Sequence, residues 1–162
     1  MTTVGVISDT HGLLRPEAID ALRGVDWILH AGDIGDLAIL KELETLAPVA
    51  AVRGNVDGEA WARKLPLTEV IEKDGVSIYM LHILEKLDLK PEAAGFGVVV
   101  YGHSHVPKIE AKHGVLYFNP GSAGPRRFKL PVTLGKLVLD RTQVQAHIIE
   151  LAVSRGELCI RQ

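Results

Sequence analysis

Seven side chains in this chain are of types that hold metal ions or relay protons, and each follows a short apolar run. Asp9 and His11 come after the run 4–7, Asp33 after 27–29, and Asn55 after 49–52. His82 closes the run 76–81, while His103 and His105 follow 98–101. Apolar runs of this length read as buried strands. Their polar ends recur about every 20–27 residues, the length of one strand and its return. In open α/β sheets, ligands bind at the carboxyl ends of strands. Oxygen and imidazole donors delivered to one such rim point to a metal centre.

The pieces differ in weight. By chance, an Asp-x-His arises about 0.4 times in a chain of this composition and a Gly-His-x-His only about 0.03 times, so residues 102–105 carry most of the signal. Each of the others has an ordinary reading. Asp9 and His11 can cap a following helix, Gly54-Asn55 can be a plain turn, and His82 can be a satisfied core histidine. The order is the informative part, because every cluster follows a strand.

The elements that must position these residues change character along the chain. Up to about residue 66, strands at 4–7, 27–29 and 49–52 alternate with helical faces beginning at Pro16 and spanning 37–46, which favours a right-handed parallel arrangement. Beyond that point the hairpins 68–72/76–81, 108–112/115–118 and 134–139/144–151, with a strand at 98–101, make the pattern mostly antiparallel. Two sheets packed face to face with helices outside give the expected class: α/β, a four-layer α/β/β/α sandwich of two mixed sheets flanked by helices.

Composition narrows the function. The 162 residues suit one domain, 1–162, able to bury a core without staples. Eighteen basic against twenty acidic side chains give a formal charge of −2, which places nucleic acid low among partners. The single cysteine, Cys159, excludes a disulfide framework and a cysteine-built zinc site. No basic leader and no 18-residue apolar stretch is present, so a cytoplasmic protein without a membrane partner is expected.

Asp-x-His at 9–11, Gly-Asp at 32–33, Gly-Asn at 54–55, His82 and Gly-His-x-His at 102–105, in that order, resemble the calcineurin-like metallophosphoesterases. The short chain and Asn119-Pro120-Gly121-Ser122 look more like the small bacterial and archaeal phosphodiesterase branch. The resemblance implies a two-sheet sandwich with two divalent ions per chain. Asp9, His11 and His105 would hold the first, Asn55, His82 and His103 the second, and Asp33 would bridge both. Such ligands, without thiolate, suit manganese first, then nickel, iron, cobalt or zinc. The implied activity is hydrolysis of a small phosphate ester, a diester rather than a monoester. It would proceed by in-line attack of a hydroxide bridging the two metals, with Asp33, Asn55 and His82 acting through them. Homo-oligomerisation is left open.

This chain departs from the family pattern at Val56, where a histidine that aids the leaving group often stands, and at Ile83, where glycine is usual after His82. His30 is a conceivable replacement proton donor, although a loop-fixing role is the plainer reading. Asn55, Ser122 and Arg126 are candidates for substrate phosphate, with a surface turn the equal alternative for the last two. The alternative function is a protein-interaction scaffold of the same fold, as in the retromer subunit, in which the metal site is vestigial.

Overall fold

The computed structural model describes residues 1–141 and 143–153; Thr142 and Cys159 lie outside the described residues. Unbroken burial from Val4 to Ile7 within Thr2–Ile7 (β1) reflects an inner strand with core on both faces, flanked by Trp27–His30 (β2) and Thr133–Asp140 (β9). The first sheet runs β10-β9-β1-β2-β3, with Val49–Ala51 as β3 and Gln143–Glu150 as β10. β1, β2 and β3 are mutually parallel, and β9 is antiparallel to β1.

The second sheet runs β4-β5-β6-β8-β7. Its members are Thr68–Lys73 (β4), Val76–Leu81 (β5), Val98–Val100 (β6), Lys108–Lys112 (β7) and Val115–Asn119 (β8). Here β5, β6 and β8 are parallel, while the hairpins β4–β5 and β7–β8 supply the antiparallel edges. Both sheets are mixed, as the sequence pattern leads one to expect.

Three apolar layers hold this together. Val6, Leu29, Ile78, Met80, Val100, Phe118 and Leu137 form the layer between the sheets. Helices Pro16–Leu22 (α1) and Leu37–Glu44 (α2) press Ala18, Leu22, Leu40 and Leu43 onto the far face of the first sheet. Pro16 starts α1 where its missing N–H is no loss. The Asp36 carboxylate caps α2 by accepting the Ala38 amide at 2.9 Å. Over the second sheet, Leu84, Leu87, Leu89 and Phe96 cover Tyr79, Val99 and Tyr101 from a largely irregular segment that contains a 3-10 turn at Leu84–Lys86 and the four-residue helix Pro91–Ala94 (α3).

Register then fixes the site. Ile7 lies opposite His30, so the chain leaves β1 and β2 side by side, and the Asp9 amide donates to the Gly32 carbonyl at 3.0 Å. Strands β1, β2, β3, β5 and β6 all deliver their carboxyl ends to one rim.

Candidate metal centre

All seven expected ligands converge there. Asp9, His11 and His105 form one cluster and Asp33, His82 and His103 a second, with the ligand atoms of each within 4.8 Å of one another. In the first, the Nε2 atoms of His11 and His105 face each other at 3.2 Å, and Asp9 Oδ1 lies 3.2 Å from His105 Nε2. In the second, Asn55 Oδ1 stands 3.0 Å from both His82 Nε2 and His103 Nδ1, and Asp33 Oδ2 is 3.1 Å from His82 Nε2. The same Asp33 oxygen is 3.8 Å from His11 Nε2, so it faces both clusters.

These separations suit a cation. Ligand atoms held about 2.0–2.1 Å from one ion stand roughly 2.8–3.4 Å apart, the lower end octahedral and the upper end tetrahedral. Hydrogen bonding agrees. Asp9 Oδ2 is satisfied by the Ser8 hydroxyl at 2.7 Å and the His103 amide at 3.1 Å. Asp9 Oδ1 and His105 Nδ1 are buried without a hydrogen-bond partner, the two such side-chain atoms among the described residues. Buried polar atoms are rarely orphaned without an ion or water to account for them, and Asp9 Oδ1, which faces His105 Nε2 and His11 Nε2, is placed for one. His82 donates Nδ1–H to the Ala31 carbonyl at 2.7 Å, which leaves Nε2 as the free donor, the usual arrangement of a metal-binding imidazole. The donor set therefore fits divalent cations.

The backbone is bent to make this convergence. Asp9, His11, Asp33, His103 and His105 all have positive φ, between 45° and 72°. A left-handed conformation costs an L-residue about 1–2 kcal/mol, and such strain persists where the surroundings over-determine it, characteristically at functional sites. Gly54 belongs to the same design, because a Cβ there would collide with the Asp33 carboxylate.

Electrostatics follow from burial and charge. Burial alone would raise the Asp9 carboxyl, but the imidazoles of His105 and His11 and the Ser8 hydroxyl outweigh it and hold the group well below the ordinary range. Asp33 is likewise lowered, burial being overcome by His82 and the Val56 amide. Burial opposes protonation of His82, yet Asp33 and Asp9 raise it. Both carboxylates thus stay charged and ready for a cation.

The remaining expected residues separate. His30 is fully buried. Its Nδ1 accepts the Gly32 amide at 3.1 Å, and its Nε2 faces the Thr10 hydroxyl at 3.0 Å, which in turn donates to the Ile34 carbonyl. With both ring nitrogens engaged inside the protein, His30 has no path to a leaving group, a correction to its candidacy as a proton donor. Ser122 is corrected too: its buried hydroxyl donates to the Asp9 carbonyl at 3.0 Å and accepts the Gly124 amide at 3.3 Å, so it is spent on the loop. Arg126 is half-buried in the connection 120–132, and Asn55 and Val56 are exposed beside the second cluster. Asp57 escaped the sequence reading. Its buried carboxylate accepts three amides, those of Ile34, Gly35 and Gly54, at 3.0, 3.2 and 2.8 Å.

A two-sheet sandwich with paired imidazole–carboxylate clusters on one strand-end rim defines a class of α/β proteins with a candidate two-metal centre. Consistently, the calcineurin-like phosphoesterase superfamily domain matches residues 2–142, and the chain belongs to that superfamily. It is 36% identical over 158 residues to a probable metallophosphoesterase of Methanothermobacter thermautotrophicus, covering 90% of this chain and 91% of the other. The solved structure of an archaeal phosphodiesterase superposes with a TM-score of 0.76 at 27% identity, over 91% of this chain and 99% of that one. Vps29 of Chaetomium thermophilum superposes at 0.81 with 20% identity, over 96% and 92%, a likeness of fold alone. No helix among the described residues is long and apolar enough to cross a membrane.

Proposed function

We propose that this protein is a phosphodiesterase that holds two divalent cations, one on Asp9, His11 and His105, the other on Asn55, His82 and His103, with Asp33 shared. The observation that carries this reading is the position of Asp33 Oδ2, 3.1 Å from His82 Nε2 and 3.8 Å from His11 Nε2. Paired divalent cations supply an acidified water and Lewis-acid stabilisation of phosphoryl oxygens. The chain's part is to place and charge the site. Ser8 and the His103 amide orient Asp9, the Ala31 carbonyl fixes the tautomer of His82, and the Val56 amide holds Asp33 Oδ1 at 3.0 Å. Two carboxylates offset half the charge of two dications, which leaves a cationic rim that attracts a phosphate diester.

All seven ligand positions keep ligating types, which favours catalysis over the scaffold reading. The test is elemental analysis of purified protein together with turnover of bis(p-nitrophenyl) phosphate across manganese, nickel, iron, cobalt and zinc, with manganese tried first. Two ions per chain and metal-dependent release of p-nitrophenol are expected. Two ions with no turnover on any mono- or diester would move the protein to the scaffold class.

A further inference from the structure

The rim carries a second set of residues that the metal centre does not use. Residues 120–132 join the carboxyl end of β8 to the start of β9, so both ends of this connection lie on the metal-bearing rim. Its base is fastened there. The Ala123 amide donates to the Ser8 carbonyl, and the Arg15 guanidinium donates to the Gly124 carbonyl at 3.2 Å. A Cβ on Gly124 would strike the Asp9 and Thr10 carbonyls. Ser122 then pairs with Val132 and closes the base.

The excursion between the two prolines, 125–131, carries Arg126, Arg127, Phe128 and Lys129 and no acid. By chain reach, the Arg126 Cα stays within about 7 Å of that of Gly124 and the Phe128 Cα within about 14 Å. The Gly124 end of this excursion abuts the Asp9 carbonyl. Phe128 is 88% exposed and has a φ of +52°. Of the nine non-glycine residues with positive φ among the described residues, five are the proposed ligands and Asp74, His113 and Arg141 occupy hairpin turns. Phe128 is the ninth. A bulky residue in this conformation is a true outlier, and here it presents an aromatic face to solvent among three cations. Val56 and Val106, each next to a ligand and each exposed, extend the apolar rim.

The leaving group supplies an independent constraint. Position 56 has no dissociable proton, and His30 is sealed inside the protein. A sugar alkoxide leaves poorly without a proton from a general acid. A phosphate monoester leaves as an oxyanion that is stable near neutrality, since its second pKa is about 6.

Resting on the phosphodiesterase reading, we infer that the substrate is a nucleoside diphosphate ester cleaved at its diphosphate bridge, with Phe128 stacked on the base and Arg126 and Arg127 on the outer phosphate. A water oxygen bonds to one phosphorus and the bridging P–O bond breaks. Two phosphate monoesters result, and the protons of the water pass to solvent or to the products. Stacking of a base on an aromatic side chain tolerates any base, and guanidinium forks suit phosphate oxygens.

The test uses manganese-loaded full-length protein on ADP-ribose, adenylyl-(3′→5′)-adenosine, P1,P2-dimethyl diphosphate and bis(p-nitrophenyl) phosphate. ADP-ribose should exceed the alkoxide-leaving dinucleotide in kcat/KM by roughly 10²-fold or more. Phe128→Ala should lower the preference for ADP-ribose over dimethyl diphosphate by about 5- to 150-fold. The same variant should weaken calorimetric binding of α,β-methylene-ADP by a similar factor, with Tm and metal content unchanged. Arg126→Gln should weaken that binding as well. Rapid cleavage of bis(p-nitrophenyl) phosphate, with ADP-ribose no better than the dinucleotide, overturns the inference and leaves the phosphodiesterase reading standing. Unchanged analogue binding by Phe128→Ala also overturns it. No cleavage of any of the four by metal-loaded protein removes both.

Discussion

Asp57 reaches across the rim to Ile34: its Oδ1 accepts the Ile34 amide at 3.0 Å while its Oδ2 accepts the Gly54 amide at 2.8 Å. One buried carboxylate therefore locks the loop that carries Asp33 to the loop that carries Asn55. Partners lying behind ligands in this way usually change metal affinity by about 10–100-fold when altered. Asp57→Asn keeps the shape but turns an N–H donor towards backbone N–H groups. We expect metal-free protein to lose about 1–3 kcal/mol of stability and the second cation to bind about 10–100-fold more weakly. Urea unfolding and metal titration of the variant check the two effects separately. A stability loss with unaltered metal affinity would reduce Asp57 to a fold-holding role.

Asp33 makes the partition of the ligands testable, because its Oδ2 faces both clusters. Asp33→Ala should release both cations, whereas His105→Ala and Asn55→Ala should each weaken a different one. All three positions lie at strand ends outside the apolar layers, so the variants should remain folded. Elemental analysis and the spectra of cobalt-substituted protein give the readout. A full metal complement in Asp33→Ala, or identical residual spectra from the other two, contradicts the assignment.

His30 gives stability a pH dependence of known sign. Complete burial, partly offset by Asp9, pushes its folded pKa down from 6.5 to about 3. Between those values the unfolded chain binds a proton that the folded chain refuses, so stability is full above pH 6.5 and is lost as pH falls towards 3. The slope from this residue is about 1.4 kcal/mol per pH unit. Metal-free wild type and His30→Gln, unfolded by urea at several pH values, isolate the contribution. The stability of wild type relative to the variant should drop by about 2 kcal/mol between roughly pH 7 and pH 5. A gap that does not change with pH means that the imidazole does not titrate as burial dictates.

The sequence exposed the clustered carboxylates and imidazoles of the candidate site because they sit at strand ends. Apolar runs such as 98–101 are legible locally, and the polar cluster after each is one step away. Contacts that join distant segments were hidden. The partner of the Ser122 hydroxyl is a carbonyl 113 residues earlier, so nothing near Ser122 signalled that the hydroxyl was already used. Asp57 reads as one more acid in a turn until the amides of Ile34 and Gly35 arrive from another loop. The cover on the second sheet was equally silent. Leu84, Leu87, Leu89 and Phe96 follow neither a helical nor a strand period, since burial there is achieved by a largely irregular chain.

Val56 offers the sharpest test of how this site treats its leaving group. Its amide holds Asp33 Oδ1 at 3.0 Å, while its side chain is 57% exposed beside Asn55. A residue here stands next to the second cluster and contributes no proton. Without a general acid, rates on a series of diesters should fall steeply as the leaving group becomes a weaker acid. Val56→His places an imidazole at the same exposed position and retains the backbone amide on which Asp33 depends. General-acid assistance is typically worth roughly 10²–10⁴-fold, so the gain should be large for alkoxide leaving groups and negligible for p-nitrophenolate. The dependence of log kcat/KM on leaving-group pKa should therefore flatten. Because the substituted side chain is exposed, Tm and metal content should stay near those of wild type, and both measurements separate a folding defect from a catalytic one. A folded, metal-loaded Val56→His protein with the parent slope would show that no donor at position 56 can serve this centre. Burial and both engaged ring nitrogens already close the route through His30. The preference for acidic leaving groups would then have to come from how the rim seats the substrate.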